Sequence, residues 1–240
     1  NQKQAQVLAR SLSSVDPGRI HGLHMVQSAV SIDAHLEEKK KKIARKLDCA
    51  YAGPQRGRLA AMVSRGAVEL GAIHTYLELY ARYFVDLTPR VALIAAEKAD
   101  IGGNLYTGPN TEETPLIVEA TKGRQGIVIV QVDEIAEHIP RVDIPGDWID
   151  YVVKTDEPCR CSPLFTRDPA RISEKSILMA MIAIKGIYGP LKIQSLNHGI
   201  GYDTAAIELL LPTYAAELGL AGKICTRWLL NPHPTLIPAI

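Results

Sequence analysis

Two runs limit the folds open to this chain: "RVALIAA" at residues 90–96 and "GIVIVQVDEI" at 126–135. Both are apolar without interruption, and the second is β-branched and bounded by glycine. A strand with apolar side chains on both faces must be covered on both, which is the habit of parallel sheets flanked by helices. The intervening segments read as helices. The fold class predicted is therefore α/β, with open, mostly parallel sheets.

The rest of the chain follows the same rhythm. Helices are expected over 2–13, from an Asp33 cap to about Leu47, from Pro54 to about Arg65, over 73–87, and over "EETPLIVEAT" with Pro115 near its start. Strands are expected at 23–30 and at "DCAYAG", with a further short strand inside the turn cluster "DIGGNLYTGPN" at 100–110. Residues 154–168, "KTDEPCRCSPLFTRD", are polar and lack periodicity, which is the signature of a linker. It separates a first domain, 1–153, from a second, 169–240. The second opens with a helix capped by Asp168 or Ser173. It continues with a strand "LKIQSLN", a helix over 203–217 capped by Asp203 or Thr204, and a strand "KICTRWLL" ending at "NPHPT".

Charge and cysteine content exclude several classes. Lys and Arg number 27 against 26 Asp and Glu, so there is no basic excess of the kind nucleic acid selects. The run "EEKKKK" at 37–42 has salt-bridge spacing and reads as a solvated helix face. Cys159 and Cys161 stand without a second pair, so zinc spacing is missing and no metal is expected. Reduced thiols and the lack of any apolar run near the roughly 20 residues that span a bilayer point to a cytoplasmic protein. The chain opens at Asn1 and closes on "TLIPAI", as an internal piece of a longer protein would.

In open parallel sheets ligands gather beyond the carboxyl ends of the strands. Three polar turns follow strand candidates, at 100–110, 197–203 and 231–235. Gly199 and Gly201 are read as a bend with positive φ that leaves backbone amides bare before a helix, a setting for an anion or an oxyanion. The competing reading is tight strand–helix packing. Asn197, His198 and Asp203 flank the turn, with His198 either a base, an anion partner or a structural histidine. In "NPHPT" two prolines stiffen Asn231 and His233, either as a plain strand exit or to aim them into a crevice. Gly108, Asn110 and Thr111 precede a helix, as a capped turn or a third part of a site. No third glycine completes a dinucleotide fingerprint, and no Gly-x-Ser-x-Gly elbow exists.

Several long blocks resemble one family. "ADIGGNLYTGPNTEETPLIVEATK", "QVDEIAEHIPRVDIPGDWIDYVV", "PLFTRDPARIS", "LNHGIGYDTAAIELLLPTYAAELGL" and "NPHPTLIPAI" are similar to the alpha subunit of malonate decarboxylase. That family lies within the CoA-transferase superfamily, with two similar α/β domains in tandem. The resemblance implies an acyl-carrier-protein transferase that exchanges acetate for malonate on the carrier thiol. It implies a carrier subunit with a CoA-like phosphopantetheine arm, decarboxylase subunits as partners, and no tightly bound cofactor in this chain. Gly199, Gly201, His198 and Asn231 become the expected catalytic group. Asn197, His233, Gly108, Asn110 and Arg227 become the expected substrate- and carrier-binding group, with Arg167 and Lys185 as further cations for malonate's distal carboxylate.

Many CoA transferases carry a glutamate nucleophile where this chain has the "NPHP" loop, and here Asn231 stands without an acid. A mixed anhydride formed by malonate itself is expected instead of a glutamyl-enzyme. Family chains are roughly twice as long as this one, so both domains are expected to be incomplete and the isolated piece to turn over little. The competing functions are a CoA transferase or citrate-lyase-type alpha subunit acting on another acid, and a non-catalytic carrier-binding scaffold.

Overall fold

A computed structural model describes residues 5–51, 55–108, 113–158, 170, 172–197, 199 and 201–228. The chain divides into two compact units, Asn1–Ser162 and Pro163–Ile240.

The first unit begins with helix α1 (Gln6–Ser13) and a three-stranded sheet of β1 (Leu23–Ala29), β2 (Ala44–Tyr51) and β3 (Glu69–Ile73). The strands lie in the order β1-β2-β3, all parallel. Helices α2 (Asp33–Lys40) and α3 (Arg56–Ser64) make the crossovers. Leu36, Leu47, Cys49, Leu59 and Met62 form the core on one face of this sheet. The other face meets α4 (Tyr76–Val85), whose Leu79 and Tyr83 pack with Val26 and Ala50. Thr75 caps α4, its hydroxyl accepting from the Glu78 amide at 3.1 Å.

The helix expected to reach Leu47 stops at Lys40 instead, because Lys42 takes a left-handed φ of 62° and turns the chain into β2. The charge run is a solvated face only in part. Lys40 is exposed and pairs with Glu37 at 2.6 Å, but Glu38 and Lys39 are each only 1% exposed. Burial pushes the Glu38 carboxyl up to about 7 against the opposing pull of Lys39. Burial draws Lys39 down to about 8, and Glu38 and then Cys49 counter it. Strand β3 carried no apolar signal in the sequence, and its side chains alternate between exposed and half-buried.

A polar cluster ties the three strands together on the α4 side. Asp48 of β2 accepts from His24 Nε2 at 2.6 Å and from His74 Nε2 at 2.7 Å. Burial raises the Asp48 carboxyl, but the hydrogen bonds and charges of the two imidazoles outweigh it and hold the group below its ordinary range. The arrangement needs glycine at 71, where a Cβ would fall 2.1 Å from Asp48 Oδ2.

The second sheet of this unit holds β4 (Val91–Asp100), β5 (Leu105–Tyr106), β6 (Ile127–Ala136) and β7 (Tyr151–Lys154), in the order β5-β4-β6-β7. Strands β4, β6 and β7 are parallel, and β5 is antiparallel to β4. Val128, Val130 and Val132 are wholly buried against Ala92, Ile94 and Ala96, with α5 (Thr114–Gly123) covering them through Val118. Each such side chain contributes about 1.5–3 kcal/mol by leaving water. Gln131 interrupts the run for a reason. It is fully buried, and its Oε1 accepts from the Val7 amide at 2.9 Å, capping α1 from 124 residues away. Strand β7 gave no sequence signal beyond two valines and is largely exposed.

At the carboxyl end of β4 the backbone folds on itself. Asp100 Oδ1 accepts from the Gly102 and Asn104 amides, and Asn104 Oδ1 accepts from the Gly146 amide, each at 2.9 Å. A Cβ on Gly146 would lie 2.2 Å from the Gly102 carbonyl oxygen, so only glycine allows this approach.

The second unit contains α6 (Glu174–Ala183), a π-helical turn (Ile184–Tyr188), β8 (Ser195–Leu196), α7 (Tyr202–Leu210), α8 (Tyr214–Glu217) and β9 (Arg227–Trp228). Ser173 is the cap of α6. Among the described residues, strands β8 and β9 pair in parallel at two positions. The longer strands expected at 191–197 and 223–230 are cut short by left-handed residues, Lys192 at φ 49° and Cys225 at φ 54°, while residues 229 and 230 lie outside the described part. The helix expected over 203–217 is broken by Pro212, which lacks the amide a continuous helix needs. Its N-cap is Gly201, not Asp203 or Thr204. Ile184, Leu196, Ala215 and Ile224 centre the core.

Two measurements check these packing arguments. Gly146→Ala should cost about 1–3 kcal/mol in urea unfolding, because backbone must shift to admit one methyl. Glu38 binds its proton more tightly folded than unfolded, so its contribution to stability falls as pH rises from the ordinary carboxyl range, about 4.3, towards 7. Glu38→Gln should gain on the unsubstituted protein between pH 5 and pH 8 by on the order of 1–2 kcal/mol.

Candidate functional site

Polar groups collect at the carboxyl ends of the parallel strands, and each has a local cause. Beyond β5, Thr107 gives both its amide and its hydroxyl to Asp143 Oδ2 at 2.8 Å. Burial raises Asp143, but the Arg141 hydrogen bond and then the Thr107 bonds pull it below its ordinary range. Gly108 follows, buried, with φ 65°. Glu97 of β4 fills the place its side chain would take, Oε2 lying 2.1 Å from an ideal Cβ. Asn110 and Thr111 lie outside the described residues. Glu113, 3% exposed, then opens α5. Its carboxyl accepts from the hydroxyl of the fully buried Ser28 at the end of β1, and from Tyr80 at 3.5 Å. Tyr83 is held above its ordinary range by burial and then by Glu113.

Sequence reasoning missed the part played by α1. Gln131 fixes the start of this helix, and Arg10 in its last turn pairs with Glu157 at 2.5 Å. Two open depressions flank Arg10. One, about 510 Å³, lies against Lys154 and Thr155 beyond β7, and the other, about 350 Å³, against Ser31, Asp33 and Gln55 beyond β1. A helix N-terminus held by a glutamine far along the chain leaves no local motif, so only the fold reveals it.

In the second unit the turn after β8 holds Asn197, Gly199 and Gly201, all exposed. Gly201 has φ −88° and ψ 162°, ordinary extended backbone, so the expected positive φ is corrected there. The positions differ from packing glycines in another way. Among the described residues a Cβ on Gly199 would meet nothing within 4 Å, and one on Gly201 would meet Thr204 Oγ1 at 3.9 Å. Tight packing against the described strands and helices therefore does not explain these two glycines. Thr204 Oγ1 lies 2.8 Å from the Gly199 carbonyl and 2.9 Å from that of Gly201, folding the turn back on the first turn of α7. Among the described residues no side chain caps that helix, whose first amides carry its positive end. Arg227 stands exposed on β9, paired in register with Ser195, beside the strand that leads to Asn197. Lys185 is exposed on the π-helical turn. His198, Asn231, His233 and Arg167 lie outside the described residues.

Among the described residues no group of three or more His, Cys, Asp or Glu side chains could hold a metal ion. No helix there is long and apolar enough to cross a membrane. Cys49 and Cys225 are buried, and burial raises both thiols, Cys225 to about 11. Neither has the lowered pKa of a nucleophile.

Comparison with known proteins places this arrangement. The fold is that of an acyl-CoA transferase from Escherichia coli O157:H7, matched at a TM-score of 0.67 and 15% identity over 96% of this chain and 56% of that one. The fold is thus of the CoA-transferase α/β type. More particularly, the chain belongs to the family described as malonate decarboxylase, alpha subunit, transporter, whose model matches residues 1–240. It is 61% identical, over its whole length and 43% of the relative's, to the acetyl-S-ACP:malonate ACP transferase of Malonomonas rubra. It matches a chain of the Pseudomonas malonate decarboxylase hetero-tetramer, solved in complex with malonate, at TM-score 0.89 and 57% identity, over 100% of this chain and 44% of that one. The alpha subunit from Acinetobacter baumannii matches at TM-score 0.88 and 55% identity with the same coverage. The chain spans less than half the length of these relatives.

Thr204→Val should loosen the turn. Amide exchange at Gly199–Thr204 is expected to quicken by about fivefold, the effect of losing roughly 1 kcal/mol of hydrogen bonding, with exchange in α6 unchanged.

Proposed function

We propose that the protein of which this chain is part transfers an acyl carrier between acetate and malonate: acetyl-S-carrier plus malonate gives malonyl-S-carrier plus acetate. The observation that carries the reading is the 61% identity, over every residue of this chain, to a protein named for that transfer. The two units are read as parts of two CoA-transferase-like domains joined through 154–168. The partners are an acyl carrier protein with a phosphopantetheine arm and the decarboxylase subunits, in the cytoplasm.

The chemistry asks for an attack on a thioester carbonyl. A malonate carboxylate oxygen adds to the acetyl carbon, the C–S bond breaks, and the carrier leaves as thiolate beside an acetyl–malonyl anhydride. The thiolate then attacks the malonyl carbonyl carbon and acetate leaves. Both steps build negative charge on a carbonyl oxygen. Bare amides at Gly199 and Gly201, with no atom crowding an added Cβ closely, suit that charge, and one such donor contributes about 3 kcal/mol. In this reading His198 and Asn231 complete the catalytic group. Asn197, His233 and Arg227 orient malonate, while Gly108 and Asn110 contact the carrier arm. Holding two weak reactants together supplies most of the acceleration.

The complete subunit, given acetylated carrier and labelled malonate, should place label on the carrier. Hydroxylamine should release no acyl group from the subunit itself. Transfer from citrate alone would favour a citrate-lyase-type subunit, and carrier binding without transfer a scaffold. An acyl group trapped on the protein would overturn the anhydride route.

A further inference from the structure

Thr204 stands in the first turn of α7, and the reaction proposed above gives it no part. It is half-buried, and its Oγ1 lies 2.8 Å from the Gly199 carbonyl oxygen and 2.9 Å from that of Gly201. The hydroxyl has one hydrogen, which the two acceptors share. The two carbonyls differ in what else holds them. The Gly201 oxygen also accepts from the Ala205 amide at 3.1 Å, the ordinary first bond of a helix. For the Gly199 oxygen, Thr204 is the one donor among the described residues.

A peptide flanked by glycine turns over readily. Glycine takes positive and negative φ with almost equal ease, so one backbone rotation exchanges the amide and the carbonyl presented to one side. The two carry opposite partial charge. An amide hydrogen draws a developing oxyanion and a carbonyl oxygen repels it, so a bend that receives negative charge must keep its carbonyls directed elsewhere. A threonine in a helix often bonds back to a carbonyl of the preceding turn, as Thr204 does with Gly201. The bond to Gly199 reaches two residues beyond the N-cap and fastens the bend to the helix.

We infer that Thr204 is a positioning residue for the transfer: its hydroxyl holds the Gly199 and Gly201 carbonyl oxygens toward the first turn of α7, and so keeps the bend from turning a carbonyl oxygen against the acyl oxygen that becomes negative. This rests on the transferase reading and on the part Gly199 and Gly201 play in it. The role is positional, because Thr204 acts through the bend and needs no contact with malonate or the carrier arm.

The test uses the full-length subunit in its complex, with acetylated carrier and labelled malonate. Thr204→Val keeps the shape of the side chain and loses the hydroxyl. Its kcat should fall about tenfold, with KM for both substrates within about twofold, because the transition state loses stabilisation while ground-state binding is kept. Thr204→Ser restores the donor and should bring kcat back to within about threefold of the unsubstituted protein. Thr204→Ala, a better helix former than valine, should match Thr204→Val and replaces it should the valine variant fail to fold. A kcat unchanged by any folded Thr204→Val or Thr204→Ala would overturn the inference. So would a serine variant as slow as these, or a loss confined to KM. If the unsubstituted protein transfers nothing, the transferase reading itself fails; if it transfers and the variants keep its rate, only this inference fails.

Discussion

The parallel pairing of β4 with β6 sets the geometry of the first unit. Nine residue pairs run in register from Val91–Ile127 to Asp100–Ala136, and the central ones are buried. Such strands cannot shift by one residue without exposing valine to water or burying a charge. Where they stop is therefore fixed, and the polar devices at their ends inherit that position. Asp100, at the last pair, gathers the Gly102–Asn104 backbone, and Asn104 in turn holds Gly146. The Gln131 amide group, in the middle of β6, sets α1 and so the place of Arg10.

Buried polar groups recur through this unit, and each joins elements distant in sequence. Asp48 links β1 to the residue that follows β3, Gln131 links β6 to α1, and Glu113 links α5 to β1 and α4. Burying such groups costs free energy against apolar residues, and a hydrogen bond recovers only about 1 kcal/mol net. Their effect is directional. Apolar contacts hold the sheets together with tolerance for sliding, whereas a carboxyl between two donors accepts few arrangements. Removing one partner would leave a buried acceptor unpaired, so these links are more sensitive to substitution than their net contribution implies.

The second unit uses less burial to present its turn. Among the described residues its sheet has two residue pairs, and two-stranded pairings of that size have little stability of their own. The packing of Ile184, Leu196, Ala215 and Ile224 supports it. On that base the chain turns at Gly199 and Gly201 with extended backbone at the helix N-cap. Among the described residues no close packing requires glycine at these positions, and Gly201 has no left-handed φ.

Much of this was legible in the sequence because it depends on local chemistry. The uninterrupted apolar runs specified β4 and β6, and Ser173 marked the start of α6. The block from Asp100 to Asn110 was recognisable as a turn cluster around a short strand. What was misread depended on partners far along the chain. Glu38 and Lys39 looked like surface charge because their spacing suits a solvated helix, and only the packing of α2 on the sheet buries them. Strands β3 and β7 are too short and too exposed to carry a periodic signal, and pairing with β2 and β6 defines them. The sequence alone determined the class of fold, since propensity and hydrophobic period act over a few neighbours. The tertiary structure decided which polar groups are buried, which donors meet Glu113, and why Gly108 and Gly146 are glycines, because those are questions of distance between segments that no local pattern encodes.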